Sequence, residues 1–171
     1  MKLISEQKAS ELANARKGEF AAEIGERFEH AAKSCVSCEV KGSCCTDVHF
    51  VNVRITRLEA RAINAVLADL PQDLRTRAEE RITRSAELLK NEEWAEAKFA
   101  CPLFERESGC LVHGKAKPLP CITHACYERP QDLPPDELLA AEEAEVLRLE
   151  RRAYSRNFAA LPIPLAIETY R

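Results

Sequence analysis

The eight cysteines of this 171-residue chain fall into two groups of four, one in each half of the sequence. Thiols that serve only as small hydrophobic core residues would have no reason to cluster in this way. Four thiolates are the ligand set of one tetrahedral zinc ion or of one 4Fe–4S cluster, so the grouping predicts metal–thiolate chemistry. The predicted metal ligands are Cys35, Cys38, Cys44 and Cys45 in the first group and Cys101, Cys110, Cys121 and Cys126 in the second.

The spacing within the first group favours sulfurs that share an ion. Two residues separate Cys35 from Cys38, so both sulfurs of one turn can reach the same metal. Cys44 and Cys45 are adjacent, and neighbouring side chains of extended backbone point in opposite directions. Both therefore bind one ion only if the chain turns, which Gly42 permits. Otherwise one of the pair faces a second metal or is a free thiol that exchanges metal.

The second group adds a dipeptide and two histidines to the candidate site. Cys101 is followed by Pro102, a pair also found where bacterial ferredoxins ligate a cluster. His113 and His124 lie close to the cysteines in sequence and are further candidate metal ligands. The alternative role is a hydrogen-bond donor to a ligand, which we favour because the thiols alone suffice for two sites.

Ligand count does not separate zinc from a 4Fe–4S cluster, and both cofactors stay open. Structural four-cysteine sites favour zinc, particularly in protein isolated in air, whereas the Cys101–Pro102 pair favours iron–sulfur. The chain carries no phosphate loop, nucleophile elbow or radical-type CxxxCxxC motif. We therefore lean towards a non-catalytic metal-binding protein. The alternatives are an iron–sulfur redox protein, a subunit of an oxidoreductase or modifying enzyme, and a metal storage or delivery protein.

Composition limits the classes of partner. The net charge of −3 and the isoelectric point near 5.9 argue against nucleic acid. No apolar stretch approaches the roughly twenty residues of a membrane span, and the first residues lack the apolar core of a signal peptide. We expect a cytoplasmic protein, where thiols stay reduced and disulfides are rare. The expected partners are the metal ion and a protein, with no nucleic acid and no membrane.

Hydrophobic periodicity predicts a mainly α fold with a small α+β character: a helical scaffold that carries two metal-binding cysteine loops and one short strand. We expect a single domain over residues 1–171. It comprises an N-terminal helical segment at 1–33, a cysteine-cluster core at 35–126, and a C-terminal helix with an extended tail at 132–171.

Local signals place the elements within this scheme. Alternating apolar residues predict a strand over His49–Ile55, and Thr56 with Glu59 forms a capping box that starts a helix. The region from Cys101 to Pro130 has no apolar period, so we expect its order to come largely from its metal ligands. The other expected elements are one or two helices over 3–33, a helix from Thr56 to Leu70, a helix from Gln72 to about Ala97, a helix from Pro134 to about Ala160, and an extended strap at Leu161–Leu165.

The order of these motifs resembles the zinc- or iron-chelating cysteine-cluster family of the CxxCxxCC type, also called YkgJ-like. The resemblance rests on the stretch Val53–Ala60, the box Cys101–Phe104, the step Gly109–Val112 and the element Lys117–Cys121. The first cysteine loop is longer than in the shorter form of the family, and His113 stands where the family usually shows tyrosine. The resemblance implies metal chelation by the cysteines. Separately, neither cysteine loop has enough apolar residues to fold alone, so we expect a shared metal or paired metals to hold the two cysteine groups close together in space.

Overall fold

The computed structural model of the chain describes residues 2–33, 39–40, 42–46, 52–90 and 97–171. Within these ranges the protein is mainly helical with short two-stranded antiparallel sheets, which confirms the predicted fold class. The helices are α1 Glu6–Arg27, α2 Ser43–Thr46, α3 Arg57–Ala68, α4 Gln72–Lys90, α5 Leu119–Ile122, α6 Asp136–Tyr154 and α7 Ile163–Thr169, with 3₁₀ turns at Glu29–Ala31 and Pro130–Asp132. The strands are β1 Ala32–Lys33, β2 Arg54–Ile55, β3 Phe104–Glu105, β4 Gly109–Cys110, β5 Cys126–Tyr127 and β6 Leu161–Pro162.

The chain forms two compact units, each built from two separate segments. Unit one comprises residues 1–41 and 117–158, and unit two comprises residues 42–116 and 159–171. The sequence predicted a single domain, and that statement stays a prediction. None of the helices in the described part of the chain has the length and apolarity needed to cross a membrane.

In unit one the long helices α1 and α6 pack against each other and against α5. Arg16 on α1 makes a two-pronged ion pair with Glu142 on α6, at 2.9 and 2.6 Å. The Tyr154 hydroxyl donates to Glu6 at 2.9 Å near the other end of the pair. Strand β1 then continues from this helical layer and pairs with β5, which sets Lys33 opposite Cys126. The unit therefore holds the chain just before the first cysteine group beside the last cysteine of the second.

In unit two, helix α7 packs against both α3 and α4, and the short β2–β6 sheet lies beside it. Helix α3 begins at the predicted capping box, in which the Thr56 hydroxyl accepts from the Glu59 backbone N–H and the Glu59 carboxylate accepts from the Thr56 N–H. Aliphatic side chains form a continuous core there. The fully buried members include Ile55, Ala60, Ile63, Ala78, Ile82, Val112, Ala166 and Ile167.

The predicted extended strap at Leu161–Leu165 is wrong beyond its first two residues. Only Leu161–Pro162 is extended, as strand β6, and helix α7 begins at Ile163. Pro164 occupies the first turn of α7, where a backbone N–H would have no partner inside the helix. Pro162 immediately precedes α7 and Pro164 lies in its first turn, so neither proline prevents the helix.

Residues 101–130, whose order we expect to come largely from metal ligands, also contain buried apolar side chains. Five of them are at most 3% exposed: Leu103, Val112, Ala116, Leu119 and Ile122. The last four are three or four residues apart, and the region forms the short elements β3, β4, α5 and β5. Apolar burial therefore contributes to the order of this region, and the contribution of metal ligands stays a prediction.

Several element ends differ from the sequence expectation. Residues 3–33 contain one long helix, α1, followed by a 3₁₀ turn, so the helical prediction is confirmed there. Ala97 is not helical, and α6 ends at Tyr154 because Ser155 adopts a left-handed conformation with φ 61°. Of the strand predicted over His49–Ile55, only Arg54–Ile55 is found as strand, and residues 49–51 lie outside the described residues.

Candidate metal centre

The adjacent pair Cys44 and Cys45 lies on helix α2, which follows a glycine turn. Gly42 has a φ of 79°, in the left-handed region that favours glycine. Its carbonyl oxygen accepts from the backbone N–H groups of Cys45 at 2.8 Å and Thr46 at 3.0 Å, and from the Thr46 hydroxyl at 3.2 Å. The turn that the sequence required for Cys44 and Cys45 to serve one site is therefore present.

A backbone hydrogen bond joins the two cysteine groups inside unit two. The Cys101 N–H donates to the carbonyl oxygen of Cys45 at 2.7 Å. Beyond Cys101 the chain forms the β3–β4 hairpin, in which Phe104 pairs with Cys110. The expected proximity of the two groups is thus confirmed for Cys44, Cys45, Cys101 and Cys110, although more than fifty residues separate the pairs in sequence.

The thiols of this set interact with one another. The Cys44 and Cys45 thiols are hydrogen-bonded, and this bond together with burial raises the pKa of Cys45 far above its ordinary value. The nearby sulfurs of Cys101 and Cys110 add to the increase, because a negative charge on any of them would oppose ionisation of Cys45. Cys45 therefore lies within electrostatic range of the three other sulfurs. We name Cys44, Cys45, Cys101 and Cys110 the unit-two thiol set.

Cys101 combines burial with hydrogen-bond donors to its sulfur. Burial, with a smaller contribution from the neighbouring Cys110, raises the pKa of the Cys101 thiol to about 12. The backbone N–H groups of Leu103 and Phe104 act in the opposite direction because they donate to the sulfur, as does the positive charge of Arg81. Backbone donors of this kind also stabilise a metal-bound thiolate.

Arg81 on helix α4 holds the loop that carries Cys101. Its Nε donates to the Pro102 carbonyl oxygen at 3.0 Å, and its Nη1 pairs with the Glu105 carboxylate at 3.1 Å. Arg77, one turn earlier on α4, reaches the same carboxylate at 3.5 Å. Sequence reasoning missed Arg81, because nothing in the arginine-rich pattern of α4 distinguishes one arginine from another.

The remaining described cysteines belong to unit one. Cys121 is on helix α5 and Cys126 on strand β5, and both are partly buried. His124 lies between them and is exposed. Partial burial lowers the pKa of its imidazole, and the positive charge of Lys117 lowers it further. Cys35 and Cys38 lie outside the described residues.

His113 belongs to unit two, where its side chain is exposed. Its backbone N–H donates to the Cys110 carbonyl oxygen at 3.1 Å. The two candidate histidines therefore lie in different units, His113 in unit two and His124 in unit one.

The donor atoms fit a thiophilic metal in chemistry, but they are not arranged around a common centre. None of the six cysteines within the described residues forms a disulfide. In the same part of the chain, no three or more histidine, cysteine, aspartate or glutamate side chains are grouped so that they could hold a metal ion.

Comparison of the chain with protein-family models gives no match, and comparisons with curated proteins and with solved structures give none either.

Proposed function

We propose that this chain is a metal-binding protein that holds zinc or an iron–sulfur cluster through cysteine thiolates, with the unit-two thiol set as one group of ligands. The observation that carries the proposal is the 2.7 Å hydrogen bond between the Cys101 N–H and the Cys45 carbonyl oxygen, which joins two cysteine pairs distant in sequence. The N–H donors to the Cys101 sulfur support it further. The resemblance to the CxxCxxCC family remains part of this proposal.

The other four cysteines form a second proposed ligand set, in unit one. Strand pairing sets Lys33 opposite Cys126, and Cys35 follows Lys33 by only two residues. Because a residue of chain spans at most about 3.6 Å, Cys35 is within reach of Cys126. Each proposed set therefore combines two cysteines from the first sequence group with two from the second, and neither set is one complete sequence group. The second set is Cys35, Cys38, Cys121 and Cys126, with His124 as a further candidate ligand.

Binding at the unit-two thiol set requires changes in protonation and in side-chain direction. The hydrogen bond between the Cys44 and Cys45 thiols must break before both sulfurs can face one ion. Thiols whose pKa values are raised are protonated at neutral pH, so metal binding must release protons. The protein contributes backbone donors and a partly buried setting that hold the sulfurs in place. A redox role would use the same ligands, and the identity of the metal decides between the two functions.

Metal analysis of reduced protein, purified without oxygen, tests the proposal. We expect zinc, or iron with acid-labile sulfide and a visible absorption band, at two sites per chain. Cys101→Ser removes a ligand from one proposed set and Cys121→Ser from the other, so each variant loses one site and the double variant loses both. Ser43→Ala, a change on α2 that removes no thiol, is the matched control and keeps the full metal content.

Two outcomes would contradict parts of this proposal. Wild-type protein without zinc or iron, and unable to take up either under reducing conditions, would refute metal binding. Loss of all metal in both single variants would refute the division into two sets and would indicate one shared centre.

A further inference from the structure

The aromatic ring of Phe104 lies directly against the glycine turn that precedes the Cys44–Cys45 pair. A methyl group at Gly42 would overlap this ring, and even the ring's Cε1 atom would lie only 2.7 Å from it. The contact therefore requires the absence of a side chain at Gly42. This requirement is separate from the positive φ at the same residue, which by itself already favours glycine.

Each side of the contact is connected to one half of the unit-two thiol set. On one side, the Gly42 carbonyl oxygen accepts from the Cys45 N–H at 2.8 Å and so fixes the start of α2. On the other, the Phe104 N–H donates to the Cys101 carbonyl oxygen at 3.2 Å, and Phe104 pairs with Cys110 across the hairpin. The ring thus connects the backbone that carries Cys101 and Cys110 to the backbone that carries Cys44 and Cys45.

The contact is distinct from the hydrophobic core of unit two. Phe104 is only partly buried, whereas its neighbour Leu103 is 1% exposed and belongs to the core. A ring that only added to core packing would not need to lie against a glycine at the edge of the thiol set. Close packing makes such a contact specific, because neither partner can move by a few tenths of an ångström without loss or overlap.

We propose that Gly42 and Phe104 are positioning residues for the metal centre: their contact sets the distance between Cys44–Cys45 and Cys101–Cys110. This inference rests on the proposed function. The contact keeps the two cysteine pairs at a fixed separation when metal is absent. Side-chain rotation alone then completes the site, without movement of the backbone.

Gly109 supplies a matched control for Gly42. It lies in the same unit and has nearly the same backbone angle, with φ 77° against 79°. A methyl group at Gly109 would meet no atom of the described residues within 4 Å. Alanine at Gly109 therefore introduces only the backbone strain, whereas alanine at Gly42 introduces the same strain and the overlap with Phe104.

The test is Co²⁺ binding by Gly42→Ala, Gly109→Ala, Phe104→Ala and the double variant Gly42→Ala/Phe104→Ala. Cobalt is the probe because its visible spectrum reports the number of sulfur ligands. We expect Gly42→Ala to weaken Co²⁺ binding at the unit-two site by about 10- to 100-fold relative to Gly109→Ala. Its spectrum should also change towards fewer sulfur ligands. In the Phe104→Ala background, Gly42→Ala should weaken Co²⁺ binding no more than Gly109→Ala does, because the ring that the methyl group would overlap is absent.

Each outcome bears on a different statement. If wild-type protein binds no Co²⁺, this inference fails, and if it also takes up neither zinc nor iron, the proposed function fails with it. If wild-type protein binds Co²⁺ but Gly42→Ala equals Gly109→Ala, only the positioning role is refuted. Should Gly42→Ala fail to fold by circular dichroism, Phe104→Ala decides alone. Normal helix content with unchanged Co²⁺ affinity and spectrum in that variant would overturn the inference.

Discussion

At the scale of single residues, Cys45 is held through both its sulfur and its backbone. The Cys45 sulfur interacts with the sulfurs of Cys44, Cys101 and Cys110. The backbone of Cys45 is also fixed on both sides, through its N–H to Gly42 and its carbonyl oxygen to Cys101. The sequence left open which of the two adjacent thiols better tolerates replacement, and these contacts predict that Cys45 is the less tolerant.

We therefore predict that Cys44→Ser is the more tolerant of the two substitutions. Cys45→Ser should lose the metal of the unit-two thiol set as fully as Cys101→Ser, whereas Cys44→Ser should retain part of it. Metal content per chain, measured on purified reduced protein, distinguishes the variants. Equal loss in both would show that both thiols are ligands, and would remove the basis for a metal-exchanging thiol at this pair.

A second prediction at this scale concerns Arg81. Arg81→Met removes the hydrogen bond to the Pro102 carbonyl oxygen and the pair with Glu105, and should lower the free energy of unfolding by about 1–2 kcal/mol. Arg77→Met removes a longer contact to the same carboxylate and an exposed pair with Asp73, and should cost less stability than Arg81→Met. Urea unfolding of the two variants measures the difference. Equal midpoints would contradict the role of Arg81 in holding the cysteine loop.

At the scale of secondary-structure elements, helix α3 offers the clearest test of a local signal. Thr56→Ala removes the hydroxyl that accepts from the Glu59 N–H and should reduce the free energy of unfolding by about 1 kcal/mol. Thr56→Ser keeps the hydroxyl and is the control. Denaturant unfolding measures both variants. An alanine variant as stable as the serine variant would mean that the capping box contributes nothing.

Elements set by local interactions were predictable, and those set by distant packing were not. The capping box identified α3 because its donors and acceptors are three residues apart. Helix α7 was missed because Pro162 and Pro164 suggested extended chain, whereas position in a first turn makes proline acceptable. The hairpin β3–β4 was missed because its strands are two residues long and its neighbours Leu103 and Val112 pack into a core supplied by other segments.

The candidate site likewise combines features that local sequence predicts with features that depend on distant packing. The cysteines proposed as ligands could be singled out from their clustering alone, because thiols grouped in fours have few other uses. Their partition could not be predicted, since it depends on the contact between Cys45 and Cys101 across more than fifty residues. The role of Arg81 and the contact of Phe104 with Gly42 also depend on packing, so no local sequence pattern predicts them.

At the scale of the whole molecule, the single-domain expectation can be tested with one core substitution in each unit. Ile24 in unit one and Ile63 in unit two are both fully buried. Replacement of either by alanine should lower stability by about 2–5 kcal/mol. We expect one unfolding transition by circular dichroism in wild type and variants, shifted as a whole in each. Two transitions, each shifted by only one variant, would show that the units unfold independently.

The alternation of the units along the chain has a consequence for the time course of synthesis. Each unit waits for a second segment that begins after most of the other unit has been made. At about 5–20 residues per second, the ribosome needs roughly 3 to 11 seconds to pass from Cys45 to Cys101. During that interval the first four thiols have left the ribosome, or are leaving it, without the partners proposed for them. Reducing conditions therefore matter while the chain is still being translated.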